Sequence, residues 1–340
     1  MDGVKWHQYA HDVTDISLSA LEVATIQAGG RAVDTLRNTA AFAQELERLG
    51  YRRVWYAEHH HGLSVGAFPP VVLTAHAAAS TSAIRLGSGG VLAPNHAPIS
   101  LAEQFGTLAA LHPGRIDMGI GRGPGTTDEA TSRALRRGAG PVTDAEYRRD
   151  VTAILSLLVD EVALDPLPEP WLLASSAGGA ALAAELGLPI AFAHHMRPRN
   201  TTEALKRYRA AFTPSRWCER PRVLLSVVAV CAETEEEATW QAGPGNVFRD
   251  AIFKGTAADH PFPTPEDAAA HPFTEEERGV LADFVAQQAI GTPENVARRL
   301  AQLAGETGAD ELMLFTPVHD LRDRVRSYEL VKKHFAAMTG

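Results

Sequence analysis

Cysteine is nearly absent from this chain. Cys218 and Cys231 are the only two in 340 residues, with no Cys-x-x-Cys pair, which argues against a disulfide framework and a thiolate zinc site. No apolar run reaches the roughly 20 residues of a membrane-spanning helix. The opening residues, Met1-Asp2-Gly3-Val4-Lys5-Trp6-His7, lack the apolar core of a signal peptide. Positive charge is also short: 32 Lys and Arg stand against 41 Asp and Glu, a formal charge of −9. A nucleic-acid or anionic-membrane surface needs a basic footprint, so neither partner is expected. A reducing cytoplasm is the expected compartment.

What the chain does have is a beat. Residues 1–14 read as a leading arm or a remnant of expression, outside the fold. From Asp15 onward, strand patterns alternate with helical ones: strands near 15–21, 54–57, 84–92, 116–120, 170–174, 190–194, 223–230 and 311–315, with a helical pattern after each. Such alternation implies parallel strands joined by crossover helices. With eight strands, at least eight helices and no composition shift, residues 15–340 are expected to form one (β/α)8 barrel; a doubly wound open sheet is the alternative. Residues 243–280, with Gly243-Pro244-Gly245, Pro261, Pro263, Pro265 and Pro272, interrupt the beat. They are expected to be an insertion of short helices, placed to act as a lid.

Barrel enzymes draw their active-site groups from the C-terminal ends of strands. The residues at those positions are Glu58-His59-His60-His61 after the second strand, Gly89-Gly90 in the third and Gly121-Arg122-Gly123 after the fourth. Ser175-Ser176 follow the fifth and His194-His195 the sixth. Imidazoles and carboxylates suit proton transfer near neutral pH. A metal reading would take His59 and His61 with His194 or His195 as ligands of a hydrolase. Arg122 offers forked donors between glycines that let a phosphate approach. Ser175 and Ser176 open a helix whose first amides, with Gly178 and Gly179, form an anion site. Glycines inside a strand mark either close approach of a flat ligand or a crowded barrel interior.

These runs carry a resemblance. Tyr56-Ala57-Glu58-His59-His60, Leu86-Gly87-Ser88-Gly89-Gly90-Val91-Leu92-Ala93-Pro94, the stretch from Pro113-Gly114-Arg115-Ile116-Asp117 to Gly121-Arg122-Gly123, Trp171-Leu172-Leu173-Ala174-Ser175-Ser176 and Leu186-Gly187-Leu188-Pro189 stand in the order and spacing of the bacterial-luciferase-like flavin-dependent monooxygenases. From Asp15 to Phe335 the chain resembles that family. The resemblance implies a dimeric barrel that binds reduced FMN at its C-terminal rim and receives it from a separate flavin reductase. Oxygen would reach an organic substrate through a flavin C4a-hydroperoxide. The deazaflavin F420 is the less favoured cofactor, and a non-catalytic flavin-binding relative is a rival reading.

By matching position, the resemblance gives Arg122, Ser175 and Ser176 to the flavin phosphate. It sets Gly89-Gly90 against the isoalloxazine, with a non-proline cis peptide between them. His59 matches the catalytic histidine, Glu58 the carboxylate beside it, and His60 their support; no metal is implied. Two departures stand out. Gly121 replaces the reactive cysteine of luciferases proper, so light emission is not implied. Pro69-Pro70-Val71 replaces a proline-glutamate pair of many relatives. That apolar change leans towards a hydrophobic or polycyclic substrate of the kind met in natural-product tailoring.

Overall fold

The structure, a computed structural model, describes residues 16–339 apart from 61, 63, 67 and 258. The leading arm and His61 therefore lie outside the described residues. The first half of the chain runs β1 (Ser17–Glu22), α1 (Ala32–Arg48), β2 (Arg53–Tyr56), α2 (Pro70–Ser80), β3 (Arg85–Leu92), α3 (Pro98–Leu111), β4 (Ile116–Gly121), α4 (Glu129–Leu135) and α5 (Asp144–Leu157). The second half continues with β5 (Glu169–Ala174), α6 (Ala177–Glu185), β6 (Ile190–Phe192), α7 (Thr201–Ala211), β7 (Val223–Cys231) and α8 (Glu235–Lys254). It ends with α9 (Pro265–Ala269), α10 (Glu275–Val285), β8 (Ala289–Gly291), α11 (Pro293–Thr307), β9 (Glu311–Phe315) and α12 (Leu321–Thr339). Strands β1 to β6 pair in sequence, β1 also pairs with β9, β9 with β7, and β7 back to β6. All these pairings are parallel, so the expected (β/α)8 barrel closes and the open-sheet alternative falls.

Strand alternation sorts the side chains into two layers. Leu18, Ala20, Val54, Tyr56, Leu225 and Val227 face the helices, while Leu21, Trp55, Trp171, Ala191, Leu224 and Met313 fill the barrel. Below that apolar plug sits a floor of buried charge. Arg53, fully buried, binds Glu311 through Nε at 2.8 Å and Asp117 through Nη1 at 2.7 Å. Trp55 Nε1 donates to Asp117 at 2.9 Å, and Arg222 reaches Glu169 at 2.7 Å. Burial opposes the charge on Arg53, but the carboxylates of Asp117, Glu311 and Glu169 outweigh it and raise the guanidinium pKa. Every charge here has a partner, which burial demands.

Two expectations need correcting. Gly243-Pro244-Gly245 does not break the chain: α8 runs through it as one helix of 20 residues. Pro244 costs the helix one backbone bond, and the glycine after it has a packing reason of its own. A Cβ on Gly245 would stand 2.5 Å from Pro317 Cγ, so the run lets α8 lie directly on the chain leaving β9. The separate short helices are α9 and α10, each opened by a threonine capping box. The three-residue β8, paired with the end of β7, was not foreseen.

The barrel is also tight enough to dictate glycine. A Cβ on Gly119 in β4 would lie 2.1 Å from the Ser88 carbonyl oxygen of β3, a backbone atom that cannot step aside. Gly305, exposed on α11, has nothing within 4 Å of such a Cβ. Gly119→Ala is therefore expected to destabilise the fold by about 3 kcal/mol, whereas Gly305→Ala gains about 0.5–1 kcal/mol from helix propensity. Urea denaturation of the two variants checks both signs.

Candidate active site

The loop after β2 ends in a buried hub. Glu58, 3% exposed, points away from solvent. Its Oε2 accepts the Leu92 N–H at 2.8 Å, and its Oε1 accepts His60 Nε2 at 2.8 Å and His96 Nε2 at 2.9 Å. The His60 N–H in turn donates to the Gly125 carbonyl at 2.8 Å, and Asn95 Nδ2 to the Pro124 carbonyl at 3.2 Å. Gly125 is held close: a Cβ there would meet Leu92 Cδ1 at 2.5 Å and the Glu58 carbonyl at 3.0 Å. One carboxylate thus joins the loops after β2, β3 and β4. Burial pushes its pKa up, but the bonds from His60 and His96, the charge of His96 and the Leu92 amide prevail and hold it at about 2. Glu58 is consequently an anion at every ordinary pH.

That geometry revises the expected reactive pair. Glu58 is spent on His60 and His96, not on His59. His96 was missed, although its place just beyond β3 is a strand-end position of the kind the barrel rule singles out. His59 itself is half-buried, and its Nδ1 is buried with no hydrogen-bond partner. Desolvation, reinforced by His60, lowers its pKa to about 4, so the imidazole is neutral at pH 7.

At the end of β6, His194 and His195 part ways. Both nitrogens of His194 are used, Nδ1 with Thr201 Oγ1 at 2.8 Å and Nε2 with the Gln287 carbonyl at 2.9 Å. It is a structural histidine and not a candidate ligand. His195 instead turns towards the barrel axis, its Nδ1 2.6 Å from Ser226 Oγ and its ring edge-on to Phe315. Burial brings it to a pKa of about 4, and charge on His194 or His59 would push the same way. Among the described residues, no three His, Cys, Asp or Glu side chains are grouped as metal ligands.

The anion-binding candidates lie on the same rim. Ser176 is the N-cap of α6 and accepts the Gly179 N–H at 3.3 Å; Ser175, Ser176 and Gly178 are exposed. Arg122 is exposed and engages Asp144 Oδ1 at 2.6 Å and the Val142 carbonyl. Because Asp144 is itself 91% exposed, the pair is worth little and an anion can displace it. The Gly89–Gly90 bond is cis. A Cβ on Gly89 would meet Leu21 and Trp55 within 2.8 Å, and one on Gly90 the Gly119 carbonyl at 2.8 Å. The barrel's own packing thus already requires both glycines.

Over the mouth lies α8. With Val228 and Phe315 from the strands and His195 just beyond β6, its residues Asn246, Arg249 and Phe253 line a narrow cavity of about 40 Å3. The segment beyond α8 crosses to the other side of the mouth: Phe262 pairs with Gln27, and Ser64 Oγ donates to the Ala257 carbonyl at 2.6 Å.

Sequence comparison agrees with this geometry. The family described as luciferase-like monooxygenase matches residues 16–311. The chain is 34% identical to the luciferase-like monooxygenase of Escherichia coli, over 93% of this chain and 96% of that protein. It is 31% identical to the N-acetyl-S-alkylcysteine monooxygenase of Bacillus subtilis, over 93% and 97%. The crystal structure of apo-MsnO8 superimposes with a TM-score of 0.84 at 36% identity, covering 94% of this chain and 98% of that one. A closed parallel barrel with its polar groups gathered at one rim, matched along nearly its whole length by these proteins, makes this chain an oxidoreductase of the luciferase-like monooxygenase family.

Proposed function

We propose that the protein is a monooxygenase that uses reduced FMN and molecular oxygen to oxygenate a small, largely hydrophobic organic molecule. The observation that carries this reading is the buried, unpartnered Nδ1 of a neutral His59 on the same rim as an anion cradle. An orphaned polar atom costs free energy, and a ligand hydrogen bond would recover it. Arg122, Ser175, Ser176 and the first amides of α6, including that of Gly178, would hold the FMN phosphate. The strand carrying Gly89 and Gly90 would form a flat wall for the ring system. Reduced FMN, when bound, supplies the electrons by which one atom of O2 enters the substrate and the other leaves as water.

The protein's part is to bind, orient, keep water out and manage a proton. A neutral imidazole in a desolvated position can accept a proton or donate one at Nδ1. Glu58 is a positioning group: it fixes His60 and, through the shared loop, the backbone on which His59 stands. The helix α8 and the strap that follows it cover the mouth and exclude water. A separate flavin reductase as electron source and a homodimeric assembly belong to the same proposal, as does FMN in preference to F420.

Three outcomes test this reading. Arg122→Ala should weaken FMN binding by about tenfold to a hundredfold, the worth of a charged hydrogen bond, and leave riboflavin binding nearly unchanged. Paired titrations under reducing conditions decide it, and equal losses for both flavins would refute a phosphate contact. His59→Ala should retain FMN affinity but lose about 10²–10⁴ in the rate of product formation; an unchanged rate removes His59 from the chemistry.

For Glu58 the sign follows from its depressed pKa. The stability it contributes is complete above the ordinary value of 4.5 and is lost as pH falls towards about 2. The stability gap between the native protein and Glu58→Gln should accordingly be wide at pH 6 and narrow at pH 3, measured by urea unfolding at each pH. A gap independent of pH would show that the carboxylate is not the hub.

A further inference from the structure

Three of the arginines that are buried or partly buried lie against acids. Arg53 has Asp117 and Glu311, Arg85 has Asp117 and Glu169, and Arg324 lies 3.0 Å from Glu22. Arg249 is different. It leans into the cavity under α8 with its guanidinium carbon 3.6 Å from the centre of the Phe284 ring and 4.6 Å from that of Phe253. Its Nε is buried with no hydrogen-bond partner.

Among the described residues, no carboxylate lies within the 4.0 Å of an ion pair with it. The neighbouring Asp250 is committed to Lys254 at 2.7 Å, with His271 at 3.7 Å. A second cation, Arg197, acts on it too, its guanidinium lying 5.7 Å from the centre of the Phe253 ring. Among the described residues, Arg197 has no acid within ion-pair distance either. Burial, with Arg197 adding to it and the Asp250 carboxylate opposing, lowers the Arg249 pKa to about 10, which leaves it charged at neutral pH.

A desolvated cation beside another cation is unfavourable unless an anion joins them. The aromatic faces recover part of that cost, and they also hold the planar fork in place for a bidentate acceptor. Apart from His195 and Asn246, the remaining lining, with Val228, Phe284 and Phe315, is apolar. We propose that Arg249, assisted by Arg197, receives a carboxylate or comparable oxyanion carried by an otherwise apolar substrate, and so orients the apolar body towards the barrel mouth and His195. This rests on the monooxygenase reading for its meaning as substrate recognition, and it narrows the substrate class to amphipathic organic anions. Because the cavity is narrow, such a molecule enters by displacing rim side chains.

The same chemistry could be supplied by the phosphate of FMN, so the test has an arm for each source. The full-length, flavin-free protein is titrated calorimetrically with the straight-chain carboxylates from butyrate to decanoate and with the matching primary alcohols. FMN and riboflavin are titrated separately. At least one acid is expected to bind tenfold or more tightly than its alcohol. In Arg249→Gln that preference should fall to within twofold, Arg249→Lys should keep part of it, and FMN affinity should be unchanged in both.

The proposal is overturned if no acid outcompetes its alcohol, or if the preference survives in a folded Arg249→Gln protein. It is overturned as well if that variant loses FMN affinity but not riboflavin affinity, since Arg249 would then hold the flavin phosphate. Thermal melts of both variants establish that they are folded, and Arg249→Lys serves if the glutamine variant is not. These titrations involve neither oxygen nor turnover. A protein that never oxygenates can still show the acid preference, and an active monooxygenase can still lack it.

Discussion

One buried carboxylate holds the rim together. Loops at a barrel's mouth have no sheet to fix them, so their positions must come from side-chain and backbone bonds made after the strands end. Glu58 supplies three of these at once, to Leu92, His60 and His96, and His60 extends the link to Gly125. The loops after β2, β3 and β4 therefore move as one body. His59 and the start of the Arg122 loop, which come from different strands, inherit a fixed relation from a residue that need not touch any ligand. The cost of burying the charge is offset by hydrogen bonds that favour the ionised form, and the result is a scaffold insensitive to pH over the working range.

The two ends of the barrel treat charge in opposite ways. At the floor, Arg53, Asp117, Glu311, Glu169, Arg85 and Arg222 satisfy one another, and Trp171 lies between two guanidinium groups at 5.0 and 4.9 Å. Such a network fixes strand register. At the mouth, the Nδ1 of His59 and the Nε of Arg249 stay unsatisfied.

How much of this was legible in the sequence depends on the range of the interaction. The barrel was readable because each strand-helix unit announces itself locally, through periodicity and turn residues. The rim positions of Glu58, His59, Arg122, Ser175 and Ser176 were readable because they follow directly on strand ends. Pairings across the barrel were not. Nothing near Arg53 in the chain foretells Glu311, 258 positions away, and nothing near Glu58 says that it faces His96 instead of His59. Pro244 misled for the complementary reason. Locally it breaks helices, yet α8 runs through it unbroken, with Gly245 packed against Pro317. Gly89 and Gly90 admitted two causes, and the atoms around them belong to Leu21, Trp55 and Gly119, which places the crowded interior among the reasons they are glycines.

The covering of the mouth has its own logic. A lid hinged at a Gly-Pro-Gly break would swing, but here that run lies inside a continuous helix seated on the chain after β9. The strap that follows is stitched at Phe262 to the loop after β1 and at Ala257 to Ser64. With both flanks tied to rim loops, access depends on side chains more than on backbone. Phe253, half exposed, and the arginines stacked on it stand where a ligand would enter. Aromatic rings and guanidinium groups turn aside through side-chain rotations, which are fast and cost little backbone order. A mouth built this way admits small molecules while the loops that carry His59 and Arg122 stay in register. Burial also keeps His59 and His195 neutral until the pH approaches 4. The unprotonated form is thus set by the fold itself before any ligand arrives.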